Sequence, residues 1–144
     1  MTASNHPTDQ HVSWQQAHMQ RYLETNGEEG HIWNGLPTLL LTTTGRRSGQ
    51  LHTTPLIYGQ DAGRYLVVAS RGGAPQHPQW YLNLVAQPEV QVQVGADRFR
   101  ARARPATPEE KPALWKQMAG IFPNYDEYQT RTSREIPVVI LERI

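Results

Sequence analysis

Two adjoining segments restrict the folds open to this chain more than any other feature. VQVQV, residues 90–94, alternates apolar and polar side chains strictly, and RFRARAR, residues 98–104, alternates again after the turn Gly95-Ala96-Asp97. A period of two puts one set of side chains on each face of a strand, which a helix cannot do. A turn this short joins antiparallel neighbours, because a parallel crossover takes a dozen or more residues. The hairpin therefore commits the chain to an antiparallel sheet.

The remaining punctuation extends that sheet. Residues 38–44 predict a strand, GRRSG its turn, residues 53–58 a second strand, and QDAGR a hairpin into a third over residues 65–70. After the loop RGGAPQHP, Pro78 opens a short helix, PQWYLNLVAQP, since a first-turn proline lacks only an amide hydrogen that has no helical partner anyway. Thr107, Pro108, Glu109 and Glu110 start a second helix running to about Ala119, with acids at the positive end of its dipole. Residues 136–141, IPVVIL, form a last strand apolar enough to be central.

Ahead of the sheet, Ser13 and Gln16 suit a capping box for a helix that Asn26 and Gly27 end, with Val12, Met19, Tyr22 and Leu23 as its apolar stripe. That helix packs on the domain or, in a second reading, uses Trp14 and Tyr22 at a membrane surface or as a lid. Residues 1–11 are polar, offer little surface to offset ordering, and predict a disordered tail. A chain of 144 residues leaves one domain, over residues 12–144. Six strands with short turns and few helices favour a closed or nearly closed antiparallel barrel with flanking helices, since a doubly wound sheet needs a crossover helix after each strand.

Composition narrows the function. Fourteen Lys and Arg against thirteen Asp and Glu leave +1, too little for the broad positive field of a nucleic-acid binder, so anion recognition must be local. The absence of cysteine removes thiol nucleophiles and thiolate metal sites, and the six histidines lack metal-ligand spacing, so no metal is expected. There is no G-x-S-x-G elbow, Walker loop or dinucleotide glycine fingerprint. The first thirteen residues lack a basic and an apolar region of the signal-peptide kind, and the expectation is a cytoplasmic protein. If the chain is an enzyme, a bound cofactor supplies the reactive atoms.

Two glycine-rich loops carry the chemistry. GRRSG and ASRGGAP each end a strand, where main-chain amides and the guanidiniums of Arg46, Arg47 and Arg71 suit a phosphate or carboxylate; GRRSG alone also reads as a solvated turn. The row Arg98, Arg100, Arg102 and Arg104 reads as an exposed strand face that discourages edge pairing, or as a site for an acidic tail. In FPNYDEYQTR, Phe122, Tyr125 and Tyr128 fit either core packing or one wall of a cleft for a planar ligand.

The succession LLLTTTGRRSGQ, TTPLIYG, VVASRGGAPQHPQWYLNL and FPNYDEYQTRTSREIPVVIL resembles the deazaflavin-dependent nitroreductase family, which binds coenzyme F420; the resemblance spans about residues 20–142. It implies a split β-barrel of the kind found in FMN-binding oxidoreductases, and hydride transfer from the reduced deazaflavin to a quinone, a nitro compound or another conjugated acceptor. It places the cofactor's phosphate and oligoglutamate tail on Arg46, Arg47, Ser48 and Gly49, and its ring beside Thr54, Pro55, Leu56 and Ile57. Ala69, Ser70, Arg71, Gly72 and Gly73 match a second cofactor loop, where relatives usually carry lysine in place of Arg71. Trp80 and Asn83 match a helix closing the site. Phe122, Tyr125 and Tyr128 match the substrate wall, whose first position is tyrosine in some relatives. Ser70 and Tyr128 are the implied residues for orienting the acceptor or relaying a proton. An FMN-dependent reductase and a carrier of a deazaflavin or lipid-like ligand are the alternatives, and a homodimer fits related barrels.

Overall fold

The computed structural model describes residues 7–144, with side chains from Gln16 onward, so residues 1–6 of the expected tail and the Trp14 side chain lie outside the described residues. Helix α1 (Pro7–Glu24) begins six residues ahead of Ser13 and takes in residues 7–11; a proline fits its first turn for the reason given for Pro78. It ends where Asn26 and Gly27 take φ of 50° and 81°, the left-handed stop that asparagine and glycine tolerate. Tyr22 is not at an interface. It is fully buried, and its hydroxyl accepts from Gly95 N at 2.7 Å while lying 3.0 and 3.2 Å from the carbonyls of Thr38 and Gln93 as donor. Burial pushes that phenol up to about 12.

Eight strands follow: β1 (Ile32–Trp33), β2 (Leu36–Thr44), β3 (Leu51–Ile57), β4 (Gly59–Asp61), β5 (Arg64–Val68), β6 (Glu89–Val94), β7 (Asp97–Pro105) and β8 (Val138–Arg143). Helices α2 (Gln79–Ala86), α3 (Lys111–Ile121) and α4 (Asn124–Thr130) flank them. The sheet order is β1-β2-β6-β7-β8-β5-β4, with β3 paired to the other edge of β2, and every pairing is antiparallel. β3 touches β5 without pairing to it among the described residues, which leaves the seam of a split barrel.

The mainly antiparallel half-barrel is the expected class, with local differences. The last strand starts at Val138, two residues later than expected, because Ile136 and Pro137 lead into it, and it runs on to pair Arg143 with Ala101. The two-residue β1 has no alternation to reveal it. Its signal is the turn Asn34-Gly35, where φ of 53° and 78° match the twist of a tight hairpin.

β5 and β8 explain the apolar run IPVVIL. Val67, Val139 and Leu141 point into the barrel with Leu39, Leu41, Val92, Ala101 and Leu84. Leu66, Val68, Val138 and Ile140 point outward under Leu114, Met118 and Tyr125 of α3 and α4. Strands covered on both faces lose the alternation that a half-exposed strand keeps. The arginine row of β7 lies outside, with Arg98 and Arg102 exposed and Arg100 paired to Glu89 at 3.2 Å.

Arg104 reaches Glu110 at 2.7 Å and Glu142 at 3.2 Å, and Glu110 also closes a reciprocal capping box with Thr107 ahead of α3. Arg104, then the Thr107 amide, hold the Glu110 carboxyl down to about 2, against an ordinary 4.5. A depressed carboxylate contributes stability that is complete above its unfolded value and is lost as pH falls through its folded one. Glu110→Gln should therefore lower stability near neutrality, and its deficit against the native chain should shrink between pH 4.5 and pH 2, read by urea denaturation across that range.

Candidate active site

The pairings fix which loops meet. β2, β7 and β5 run in one direction and β6 and β8 in the other. The loops that follow β2 and β5 therefore leave the barrel at the same end.

The first loop, residues 45–50, is a tight turn held by Gly49 N donating to Gly45 O at 2.8 Å and Gly45 N to Gln50 O at 2.7 Å. A side chain at position 45 would stand 2.6 Å from Ser48 Oγ, so this bend admits only glycine without a shift. α2 plugs the barrel above it through Trp80 and Leu84 and offers Asn83, which is buried. Asn83 Oδ1 accepts from Arg46 N at 3.2 Å and from Arg46 Nη1 at 2.9 Å, while its Nδ2 donates to Thr43 Oγ1 at 3.3 Å. Gln79 Oε1 takes Arg46 Nη2 at 2.9 Å. Arg46 is thus fixed by neutral acceptors that leave its charge unopposed. Arg47 is exposed and has no partner among the described residues.

The second loop, residues 69–78, runs from β5 into α2. Arg71, Gly72 and Gly73 all have positive φ, at 47°, 61° and 81°. Gly73 lies against α4 so closely that a Cβ there would stand 2.5 Å from Tyr128 O. Arg134, which sequence reasoning passed over, holds this loop from behind: Nε donates to Ala74 O at 2.8 Å, Nη1 to Ala69 O at 3.2 Å and Nη2 to Ser70 O at 2.7 Å. Its Nη1 also lies 3.2 Å from His77 Nδ1. Burial, then Arg134, push the His77 imidazole down from its ordinary value, which leaves the ring neutral near pH 7 and its proton on Nε2.

A cavity of about 410 Å³ opens between the first loop and α2, lined by Arg46, Arg47, Ser48, Thr54, Trp80 and Asn83 together with Gly45, His52 and Gln79, which the sequence did not single out. Pro55, Leu56 and Ile57 continue along β3 and do not line it, nor do Ala69, Ser70, Arg71, Gly72 and Gly73. Pro55 belongs on such an edge strand: Tyr58 N bonds Pro37 O and Gly45 N bonds Gln50 O, an alternation that turns residue 55 toward the open edge. Tyr125 is only 4 % exposed and packs in the outer core, where burial raises its phenol pKa. Phe122 and Tyr128 are half-buried beside it, and Arg131 lies 5.4 Å over the Tyr128 ring. A second hollow, about 370 Å³ beside Thr42, Thr53 and Gln91, lies on the outer sheet face, away from both loops.

None of Arg46, Arg47, Arg71 and Arg134 has a carboxylate partner among the described residues, whereas Arg64, Arg100, Arg104, Arg131 and Arg143 all do; Arg98 and Arg102, which also lack one, lie on the outer face of β7 away from the loops. Unopposed planar donors with glycine-lined main chain form a donor set suited to a polyanion. A split barrel with such an end can hold an anionic group that brings its own reactive atoms. The F420H(2)-dependent quinone reductase family matches over residues 14–143. An F420H(2)-dependent quinone reductase of Mycobacterium tuberculosis is 45% identical over 141 residues, 94% of this chain and 95% of that protein. A solved F420-H2 dependent reductase (FDR-A) is 45% identical with a TM-score of 0.68, covering 74% of this chain and 94% of that one. A second solved structure, described only as a domain-swapped dimer, is 41% identical with a TM-score of 0.71, covering 91% of this chain and 98% of that one. This chain belongs to the F420H(2)-dependent quinone reductase family, whose members are oxidoreductases that use coenzyme F420.

Removing Asn83 leaves the buried Thr43 hydroxyl without its donor and takes two acceptors from Arg46, so Asn83→Ala should cost ~1–3 kcal/mol in urea denaturation and speed hydrogen exchange at the Arg46 amide. Gly72→Ala and Gly73→Ala both meet the left-handed penalty of ~1–2 kcal/mol, but only the second also meets Tyr128 O. Gly73→Ala should therefore be clearly the less stable of the two in the same assay.

Proposed function

We propose that this chain reduces quinones with F420H2, and that the four guanidiniums without carboxylate partners at one end of the barrel are the observation that carries the assignment to this site. When bound, the reduced deazaflavin supplies a hydride from its C5 position. Arg46 and Arg47, with Ser48 and Gly49, hold the anionic tail by charge-assisted hydrogen bonds. Thr54, Pro55, Leu56 and Ile57 of β3, with residues 55 and 57 facing its open edge, would flank the ring, and Trp80 would shield it from water. Phe122 and Tyr128 face the acceptor, with Tyr125 supporting them from the core.

Overall, two electrons and two protons pass to the quinone to give a hydroquinone. The chain's share is to align the acceptor and to hold a proton at the acceptor oxygen, which the hydroxyls of Ser70 and Tyr128 are free to do, since neither bonds to a described residue. A buried acid–base pair is not required, because water can also supply that proton. No helix among the described residues is long and apolar enough to cross a membrane. A second copy of this chain is the proposed partner, in line with the neighbour described as a domain-swapped dimer.

Mixing the protein with F420H2 and a soluble quinone should return the absorbance of the oxidised deazaflavin at a rate proportional to protein; binding without oxidation would make it a carrier. Arg47→Ala should weaken F420 binding about tenfold, whereas Arg102→Ala, on the outer face of β7, should leave it unchanged in calorimetry. Tyr128→Phe should lower kcat and keep F420 affinity.

A further inference from the structure

Arg134 is an unusual arginine for this chain. Its guanidinium spends four contacts on one loop, three of them main-chain carbonyls and one the His77 ring, and none on a carboxylate. Gln129 fixes the backbone around it: Gln129 Nε2 donates to Arg134 O at 2.8 Å, and Ile136 N donates to Gln129 Oε1 at 3.0 Å. Arg134 is therefore anchored to α4 and to the segment leading into β8 before it reaches the loop.

What those contacts do follows from peptide geometry. In a trans peptide the C=O and the following N–H point in opposite directions, and no cis bond occurs among the described residues. Arg134 gathers Ala69 O and Ser70 O, so the N–H groups of Ser70 and Arg71 are turned the other way. Ser70 is right-handed, with φ −81° and ψ −41°, and Arg71 is left-handed, with φ 47°. Successive right- and left-handed residues curl their amides into a concavity that receives an anion. Among the described residues the N–H groups of Ser70, Arg71 and Gly72 make no hydrogen bond, while the next two, Gly73 N and Ala74 N, close the turn on Ser70 O and Arg71 O.

We infer that Arg134 is the positioning residue of an oxyanion nest made by the amides of Ser70, Arg71 and Gly72, and that the nest, with the Arg71 guanidinium, takes a phosphate or carboxylate group. The assignment of that group to the tail of F420 rests on the function proposed above. Arg134 does not touch the anion. It aims the donors, and because carbonyls satisfy it without neutralising it, its charge still favours a negative ligand. Burial, then the nearby Arg71, lower its own pKa, a repulsion that an arriving oxyanion relieves. Lysine could not replace it, since one ammonium cannot hold three carbonyls in the plane of a guanidinium fork.

The test uses the full chain labelled with nitrogen-15. Inorganic phosphate and glutarate, titrated separately, should shift the Ser70, Arg71 and Gly72 amide signals together. Tighter phosphate assigns the nest to the phosphodiester of the tail, and tighter glutarate assigns it to the glutamates. Arg134→Gln and Arg134→Lys should each weaken that binding about tenfold or more while keeping the far-ultraviolet circular dichroism of the native chain. Both should also weaken F420 binding and leave unchanged the affinity for the deazaflavin riboside that lacks phosphate and glutamates, a split that a merely structural role would not produce. Shifts centred elsewhere, no shifts in the native chain, or variants that bind phosphate as the native chain does would overturn the inference. If the native chain fails to bind F420 yet shows the Arg134-dependent phosphate shifts, the proposed function falls and the nest stands.

Discussion

Guanidinium groups at one end of a small barrel repel one another, and in this chain of net charge +1 those of Arg46, Arg47, Arg71 and Arg134 have no carboxylate partner among the described residues. Asp61, Glu89, Asp97, Glu110 and Glu142 each pair with an arginine among the strands, and Glu127 pairs with Arg131 at the end of α4 beside Gly73. Those pairs are largely exposed, and such pairs contribute only ~0–1 kcal/mol each. Their larger consequence is segregation of sign. With the acids held on the outer strands and helices, the loop end keeps a local positive field that net charge conceals, and a ligand that neutralises it stabilises the fold by mass action.

Much of this was legible in the sequence because antiparallel strands write their geometry in a period of two. The hairpin over residues 90–104 and the turns at GRRSG and QDAGR imposed the antiparallel order, and the pairings then brought the two arginine loops to one end. Other features left weaker traces. β1 is too short to alternate, and only its Asn34-Gly35 turn announces it. Arg134 sits in RTSREIP, a stretch without periodicity, and its significance lies in carbonyls some sixty residues away in the chain. Asn83 was placed by resemblance, but its work on Arg46 spans 37 residues and could be seen only in three dimensions. Tyr22, read as a candidate interface residue, has a hydroxyl that three main-chain groups hold inside the fold.

The same long-range contacts make the second loop and α4 one mechanical unit. Gly73 abuts Tyr128 O, Arg134 grips the loop, and Gln129 ties Arg134 to α4. A loop that receives an anion on one face and leans on the tyrosine helix with the other has little freedom to change one site alone. Closely packed elements shift together or not at all. In the proposed reaction this couples capture of the cofactor's tail to the position of the aromatic wall without any domain closure.

Burial then divides labour within that wall. Phe122 has no hydroxyl. Tyr125 has one, but it sits in the outer core among Trp115, Phe122 and Tyr128, where desolvation disfavours the phenolate. Tyr128 is the half-buried tyrosine whose main chain meets the second loop, and in the proposed reaction it is the one of the three placed to bring a hydroxyl to the acceptor. A hydride acceptor such as a quinone develops charge on an oxygen, and one oriented hydroxyl meets that demand. In the proposed reaction no carboxylate pair is needed at the acceptor, because water can supply the second proton while the hydroxyl orients the oxygen.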